Sequence, residues 1–259
     1  MFQAKSAVVR KLRNAAMIAG VAVALCTQNS VGAYAVSGGQ LETGHRAAVF
    51  IFINSPGGYN CSGSLIGGQW VLTARHCVQW EPDGTIYPGS IYLGGGDGGY
   101  DSNTPYAYDR AVTSGDADVA LYHLQNAVPA PQGGFLTLAD ANDAVPAVGD
   151  TETVYGWGQP WVNNVRLLHK GNAKVTGYDA TNKAITYSGN DCRAGTCTLG
   201  GDSGGPVVHN FNGTEKVVAV HSYGSPYVNG ASLDDRIHCT SGGVRISDVR
   251  DWIRTTSGI

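Results

Sequence analysis

Three short segments of this 259-residue chain carry the residue types that nucleophilic catalysis requires. The sharpest is Gly201-Asp202-Ser203-Gly204-Gly205-Pro206. Glycines around a serine let the backbone turn tightly and point its N–H groups into a pocket. A serine hydroxyl is a weak nucleophile, so a base must lie beside it. Leu72-Thr73-Ala74-Arg75-His76-Cys77 supplies a candidate, His76, where a strand ends next to a cysteine. The base needs a carboxylate to orient it. Asp118 precedes the apolar run Val119–Leu124 and suits a buried acid at a strand start, whereas the competing Asp116 does not abut that run. His45, His123, His169, His209 and His238 show no metal-ligand spacing and read as surface or packing residues.

Residues so far apart must be gathered by a fold, and the composition narrows which one. Only 14% of residues are charged, against about 25% in an ordinary soluble domain, while 42% are hydrophobic, which excludes a disordered chain. The formal charge of −3 offers no basic face for nucleic acid. The 37 glycines follow no three-residue period, which excludes collagen and implies many turns. β-Branched and aromatic runs recur at 48–53, 71–73, 91–93, 119–122, 152–155, 184–187 and 217–220, separated by Gly, Pro, Asn and Asp clusters. That spacing reads as an all-β sandwich or barrel. A single helix is expected near the end, capped by Ser247 and carrying Val249, Trp252 and Ile253. If there are two barrels, the chain divides near 140–150, where Asn142 to Asp150 is loop-like.

Residues 1–35 are read as a signal peptide rather than fold. Lys5, Arg10, Lys11 and Arg13 precede an apolar run from Ala15 to Cys26, and Ala33-Tyr34-Ala35 is an A-x-A cleavage site. Twelve apolar residues rise only about 18 Å as a helix, too short for a ~30 Å hydrocarbon core. Cleavage takes the formal charge from −3 to −7, because four positive charges leave. Cys61, Cys77, Cys192, Cys197 and Cys239 remain in an exported, disulfide-permissive chain, and an odd count leaves one thiol over.

The ordered set His76, Asp118, Ser203 resembles the trypsin/chymotrypsin-like serine peptidases, in a secreted, bacterial-type form. Cys61-Ser62-Gly63-Ser64-Leu65-Ile66, Gly156-Trp157-Gly158, Val220-His221-Ser222-Tyr223-Gly224 and Asp251-Trp252-Ile253 extend the likeness over residues 36–259. It implies two packed six-stranded antiparallel β-barrels, about 36–145 and 146–259, with a short C-terminal helix. It implies Ser203 as nucleophile, His76 as general base, Asp118 behind it, and the N–H groups of Gly201 and Ser203 as oxyanion hole. Ser222 is expected beside Asp118, and Ser222–Gly224 as the strand that pairs with substrate. Arg75 departs from the small residue usual there, and Tyr223 from the usual Trp.

Further expectations follow from the resemblance. Signal cleavage would expose Val36-Ser37-Gly38-Gly39, whose new amine would pair with Asp202; an arginine is the alternative partner. The stretch before Ser203 aligns Cys197, or Gly195 and Thr196, with the pocket base, so cleavage after Lys or Arg is disfavoured. Gly224 and Gly243 match the pocket walls and favour an aromatic or large apolar P1 residue, while His221 raises acidic specificity as the alternative. Cys61–Cys77 and Cys197–Cys239 are the expected disulfides, although the three later cysteines allow three pairings. The partners are polypeptide substrates, with protein inhibitors or host proteins as further candidates; no cofactor, metal, nucleic acid or, after cleavage, membrane is expected, and the mature chain is expected as a monomer. The rival reading is a catalytically silent relative that binds through the same cleft.

Overall fold

The computed structural model describes residue 36 and residues 39–158, 166–189, 197–225 and 239–259. Strands form where β-branched and aromatic side chains cluster, and glycine or Asx turns end them. The first seven are β1 (Gln40–Leu41), β2 (Ala48–Ile53), β3 (Tyr59–Gly67), β4 (Trp70–Thr73), β5 (Gly89–Tyr92), β6 (Tyr106–Thr113) and β7 (Ala120–Leu124). Strands β2-β3-β4-β7-β6-β5 close into a barrel. Then come β8 (Thr151–Gly156), β9 (His169–Asp179), β10 (Ala184–Gly189), β11 (Pro206–Phe211), β12 (Thr214–Ser225), β13 (Cys239–Arg245) and the helix α1 (Ile246–Ser257). Their sheet runs β1-β9-β10-β13-β12-β11-β8, and β8 also pairs with β9, so six strands close a second barrel with β1 added outside. The architecture is therefore two six-stranded antiparallel barrels with a C-terminal helix, as the resemblance implies.

Ile51, Leu65, Leu72 and Leu121 lie fully buried in the first barrel, and Val154, Val207 and Val220 in the second. Burying each such side chain is worth about 1.5–3 kcal/mol. The seam between the barrels is stitched by polar groups. Trp157 is fully buried and its Nε1–H donates to the Ala48 carbonyl at 3.1 Å. Ser62 on β3 accepts from the Trp157 N–H at 2.9 Å, donates its hydroxyl to the Gly201 carbonyl at 2.8 Å, and gives its own N–H to the Ser203 carbonyl at 2.8 Å.

Two local expectations differ from the structure. The helix starts at Ile246 with Arg245 at its N-cap; Ser247 lies exposed inside the first turn and caps nothing. Asp248 holds that turn instead, taking the Arg245 guanidinium at 2.6 Å, and Val249 and Ile253 face the core as expected. Strands β6 and β9 are not announced by apolar runs, because each turns much of its length to solvent. Among the described residues no helix is long and apolar enough to cross a membrane.

Candidate active site

Strand β4 ends at Thr73, whose hydroxyl donates to the Ser62 carbonyl at 2.8 Å. One 3-10 turn, Arg75–Cys77, follows and carries His76 into the seam. Cys77 is tied back to β3 by a disulfide to Cys61, with Cα atoms 6.1 Å apart. Asp118, just before β7, accepts from the His76 N–H at 2.9 Å and contacts His76 Nδ1 at 2.7 Å. Ser222 on β12 donates its hydroxyl to the same carboxylate at 2.5 Å. Burial opposes the charge on Asp118, but the bonds from His76 and Ser222 outweigh it and hold the carboxyl down at about 2. An ionised carboxylate only accepts, so Nδ1 carries the imidazole proton and Nε2 keeps its lone pair. Asp116 is 69% exposed and pairs with Lys183, so of the two candidate acids only Asp118 reaches His76.

Ser203 sits in the turn between the barrels. Gly204 in that turn has φ +82°, and a Cβ there would meet Thr73 Oγ1 at 2.0 Å, so both its conformation and its surroundings require glycine. Among the described residues the N–H groups of Gly201 and Ser203 have no hydrogen-bond partner, and none joins Ser203 Oγ to His76. That last bond is often long before substrate arrives. Ser203 shares a cavity of about 290 Å³ with Thr198, Leu199, His221, Tyr223 and Gly224.

Asp202 is fully buried beneath that turn. It accepts from the N–H groups of Leu199 (2.7 Å), Gly158 (2.8 Å) and Val36 (3.0 Å). A Cβ on Gly156 or Gly158 would stand 2.1 or 2.6 Å from its Oδ1, so these two glycines form the seat of the carboxylate. Burial nevertheless pushes Asp202 up to about 6, against the three amides and the field of Arg166. The Arg166 guanidinium binds the Trp157 carbonyl at 2.8 Å and Asn60 Oδ1 at 2.7 Å.

At the cavity floor His221 is buried, with Nδ1 2.5 Å from the Tyr187 hydroxyl. Burial, and then the field of His76, push it down to about 3, so it is neutral. Thr198 Oγ1 and Ser241 Oγ lie 2.8 Å apart beside it. Gly224 lines the cavity, and a Cβ there would meet Thr198 Oγ1 at 2.1 Å. Gly243, the other expected wall residue, lies on β13. It pairs with His221 across β12 and β13, and its missing Cβ faces the Val220 carbonyl at 2.9 Å. It is Gly242 that lies under the Tyr223 ring.

Gly195, Thr196, Ser37, Gly38 and Cys192 fall outside the described residues. Cys197 is disulfide-bonded, but the side chain of its expected partner Cys239 also falls outside them. Sequence reasoning missed the tie made by Ser62, the seat made by Gly156 and Gly158, and the floor made by Thr198 and Tyr187. The Gly-Trp-Gly spacing was a usable signal for the seat; nothing in the sequence marked Thr198.

Two six-stranded antiparallel barrels with a C-terminal helix define the chymotrypsin-like fold. The trypsin family model matches residues 36–253, and the chain belongs to that family, whose activity is serine endopeptidase. It is similar to Brachyurin of Leptuca pugilator, 31% identical over 83% of this chain and 93% of that protein. It is likewise similar to Serine protease 1 of Drosophila melanogaster (28%, covering 82% and 80%) and to Snake venom serine protease 1 of Craspedocephalus gramineus (26%, covering 82% of each). These relatives are animal proteases.

Proposed function

We propose that this trypsin-family endopeptidase works through Ser203, His76 and Asp118. The observation that carries the reading is the pair of hydrogen bonds from the His76 N–H and Nδ1 to Asp118, which leaves Nε2 to act as the base. Ser203 Oγ attacks the scissile carbonyl, and its proton passes to His76 Nε2. The carbonyl oxygen becomes an oxyanion held by the Gly201 and Ser203 N–H groups. The tetrahedral species collapses as His76 returns the proton to the leaving amine; water, activated the same way, then hydrolyses the acyl-serine. Ser203→Ala is expected to lower kcat about 10⁶-fold and to abolish labelling by a serine-directed phosphonate. Labelling of the variant, or none of the parent, overturns the assignment and leaves the silent binding relative.

For the P1 residue, the open wall at Gly224 supports an aromatic or large apolar side chain. The floor supports an acidic one better: His221 and Thr198 bring an imidazole and a hydroxyl to the cavity, and Ser241 Oγ stands 2.8 Å from Thr198 Oγ1. A Tyr187 hydroxyl donating to Nδ1 leaves the other nitrogen of His221 as an N–H donor for a carboxylate. Peptides differing only at P1 decide between the two. Preference for Glu that falls at least tenfold in His221→Leu supports the acidic reading, and preference for Phe or Leu in both proteins rejects it.

The N-terminal basic, apolar and A-x-A pattern supports export by signal peptidase, and the Cys61–Cys77 bridge fits an oxidising destination. A cut after Ala35 would turn the buried Val36 amide into an ammonium already 3.0 Å from Asp202. Export and activation are then one event, and the bacterial-type reading rests on His221. N-terminal sequencing of the secreted protein should begin at Val36; any other start rejects the single-cut scheme.

A further inference from the structure

The second barrel holds a titratable cluster that the catalytic reading leaves unused. Strands β8 and β11 pair antiparallel with Val208 opposite Thr153, which brings Glu152 alongside His209. Glu152 points inward with Val154 and its side chain is fully buried. Its two oxygens lie 3.0 and 3.1 Å from a single atom, His209 Nδ1, and among the described residues it has no other hydrogen bond. A buried carboxylate with about four acceptor sites is thus served by one N–H. Asp150 stands at the start of the same strand, with one oxygen held by the Ala147 N–H at 2.8 Å. One ligand atom from each of Asp150, Glu152 and His209 lies within 4.8 Å of the others.

The electrostatics call for a cation. Among the described residues no Lys or Arg forms an ion pair with Asp150 or Glu152. Two carboxylates and an imidazole are the donor set of a three-ligand Zn²⁺ site whose fourth position is water. Ligand atoms around such an ion stand about 3.4 Å apart, given Zn–N and Zn–O bonds near 2.0–2.1 Å. The present spread therefore needs only side-chain adjustment of about 1 Å. His209 is 24% exposed, which gives an ion a way in from solvent.

We propose that Asp150, Glu152 and His209 form a divalent-cation site, best suited to Zn²⁺, that staples β8 to β11 at the end of the second barrel away from the serine turn. The near ends of those strands carry Gly156 and Pro206, which flank the seat of Asp202 and the Ser203 turn. The site is structural and takes no part in peptide hydrolysis.

The test uses the secreted protein carrying Ser203→Ala, to prevent self-digestion, stripped with EDTA and titrated with ZnCl₂. One Zn²⁺ per chain is expected, with Tm rising about 5–10 °C at a hundredfold excess over Kd. His209→Asn and Asp150→Asn, at the exposed side of the cluster, should each weaken binding at least tenfold and remove the rise. Adding His76→Ala should leave the rise intact. Co²⁺ gives a reading on the unsubstituted cluster: the intense visible bands of a four-coordinate ion are expected. No stoichiometric binding, an equal rise in both cluster variants, or loss of the rise with His76→Ala overturns the proposal.

Discussion

Two aspartates, one partly and one fully buried, stand near the serine turn, and they are solved differently. Asp118 is 23% exposed and takes its hydrogen bonds from a group that can carry charge, the His76 imidazole, and from Ser222. Asp202 is fully buried and takes three bonds from neutral amides. Each has three donors, yet Asp118 is held at about 2 while Asp202 is pushed up to about 6. The number of hydrogen bonds therefore does not decide the outcome. What decides it is whether a compensating charge stands nearby and how much water is lost. In the uncut chain the field of Arg166 does not overcome burial, and the atom best placed to add a further charge is the Val36 nitrogen.

Asp118→Asn keeps the shape but turns an acceptor-only group into one that can donate, so the ring holds its proton on the wrong nitrogen. A fall in kcat of about 10⁴-fold is expected, with KM little changed. A fall below tenfold, measured on a P1-matched peptide, would mean that the carboxylate does not orient His76.

Blocking the Val36 terminus, by keeping the upstream segment attached, should lower kcat about 10²–10³-fold, the scale of losing one oxyanion donor. Stability should change too. With its folded pKa near 6, above the ordinary value of 3.8, the uncut chain binds the extra proton when folded. That contribution is complete below about pH 4 and is lost by about pH 6, a fall of about 3 kcal/mol. A chain beginning at Val36 keeps Asp202 ionised and lacks this fall. Urea unfolding of both forms, each carrying Ser203→Ala, at pH 4 and pH 7 measures it; equal slopes with pH would show that the amine leaves Asp202 unchanged.

The same contrast explains what the sequence disclosed. His76, Asp118 and Ser203 were legible because each sits in a short motif whose residue types answer a chemical need. Strands β2, β4 and β12 were legible because they bury apolar runs, and β8 because its β-branched and aromatic residues follow a loop-like stretch. Strand β9 was not: His169–Asp179 mixes lysines, asparagine and glycines along a partly solvated edge. Which of the adjacent glycines Gly242 and Gly243 lies under the Tyr223 ring was not legible, because only strand register tells them apart. The Glu152–His209 pair was invisible because the residues are 57 positions apart and meet only through strand pairing.

The smallest effect separates two acids two residues apart. Asp116 accepts from Ser114 Oγ at 2.9 Å and pairs with Lys183, and both bonds hold its carboxyl below the ordinary value. It is nonetheless a surface group, 69% exposed, and an exposed pair contributes little because solvent screens it. It does touch the cleft, since it lines a small hollow with Arg75, Asp118, Ser222 and Tyr223. If buried position rather than mere nearness makes an acid catalytic, Asp116→Asn should leave kcat/KM within about twofold and the pH profile of hydrolysis unmoved. A loss approaching that of Asp118→Asn would show that proximity alone suffices, and the distinction drawn between the aspartates would fall.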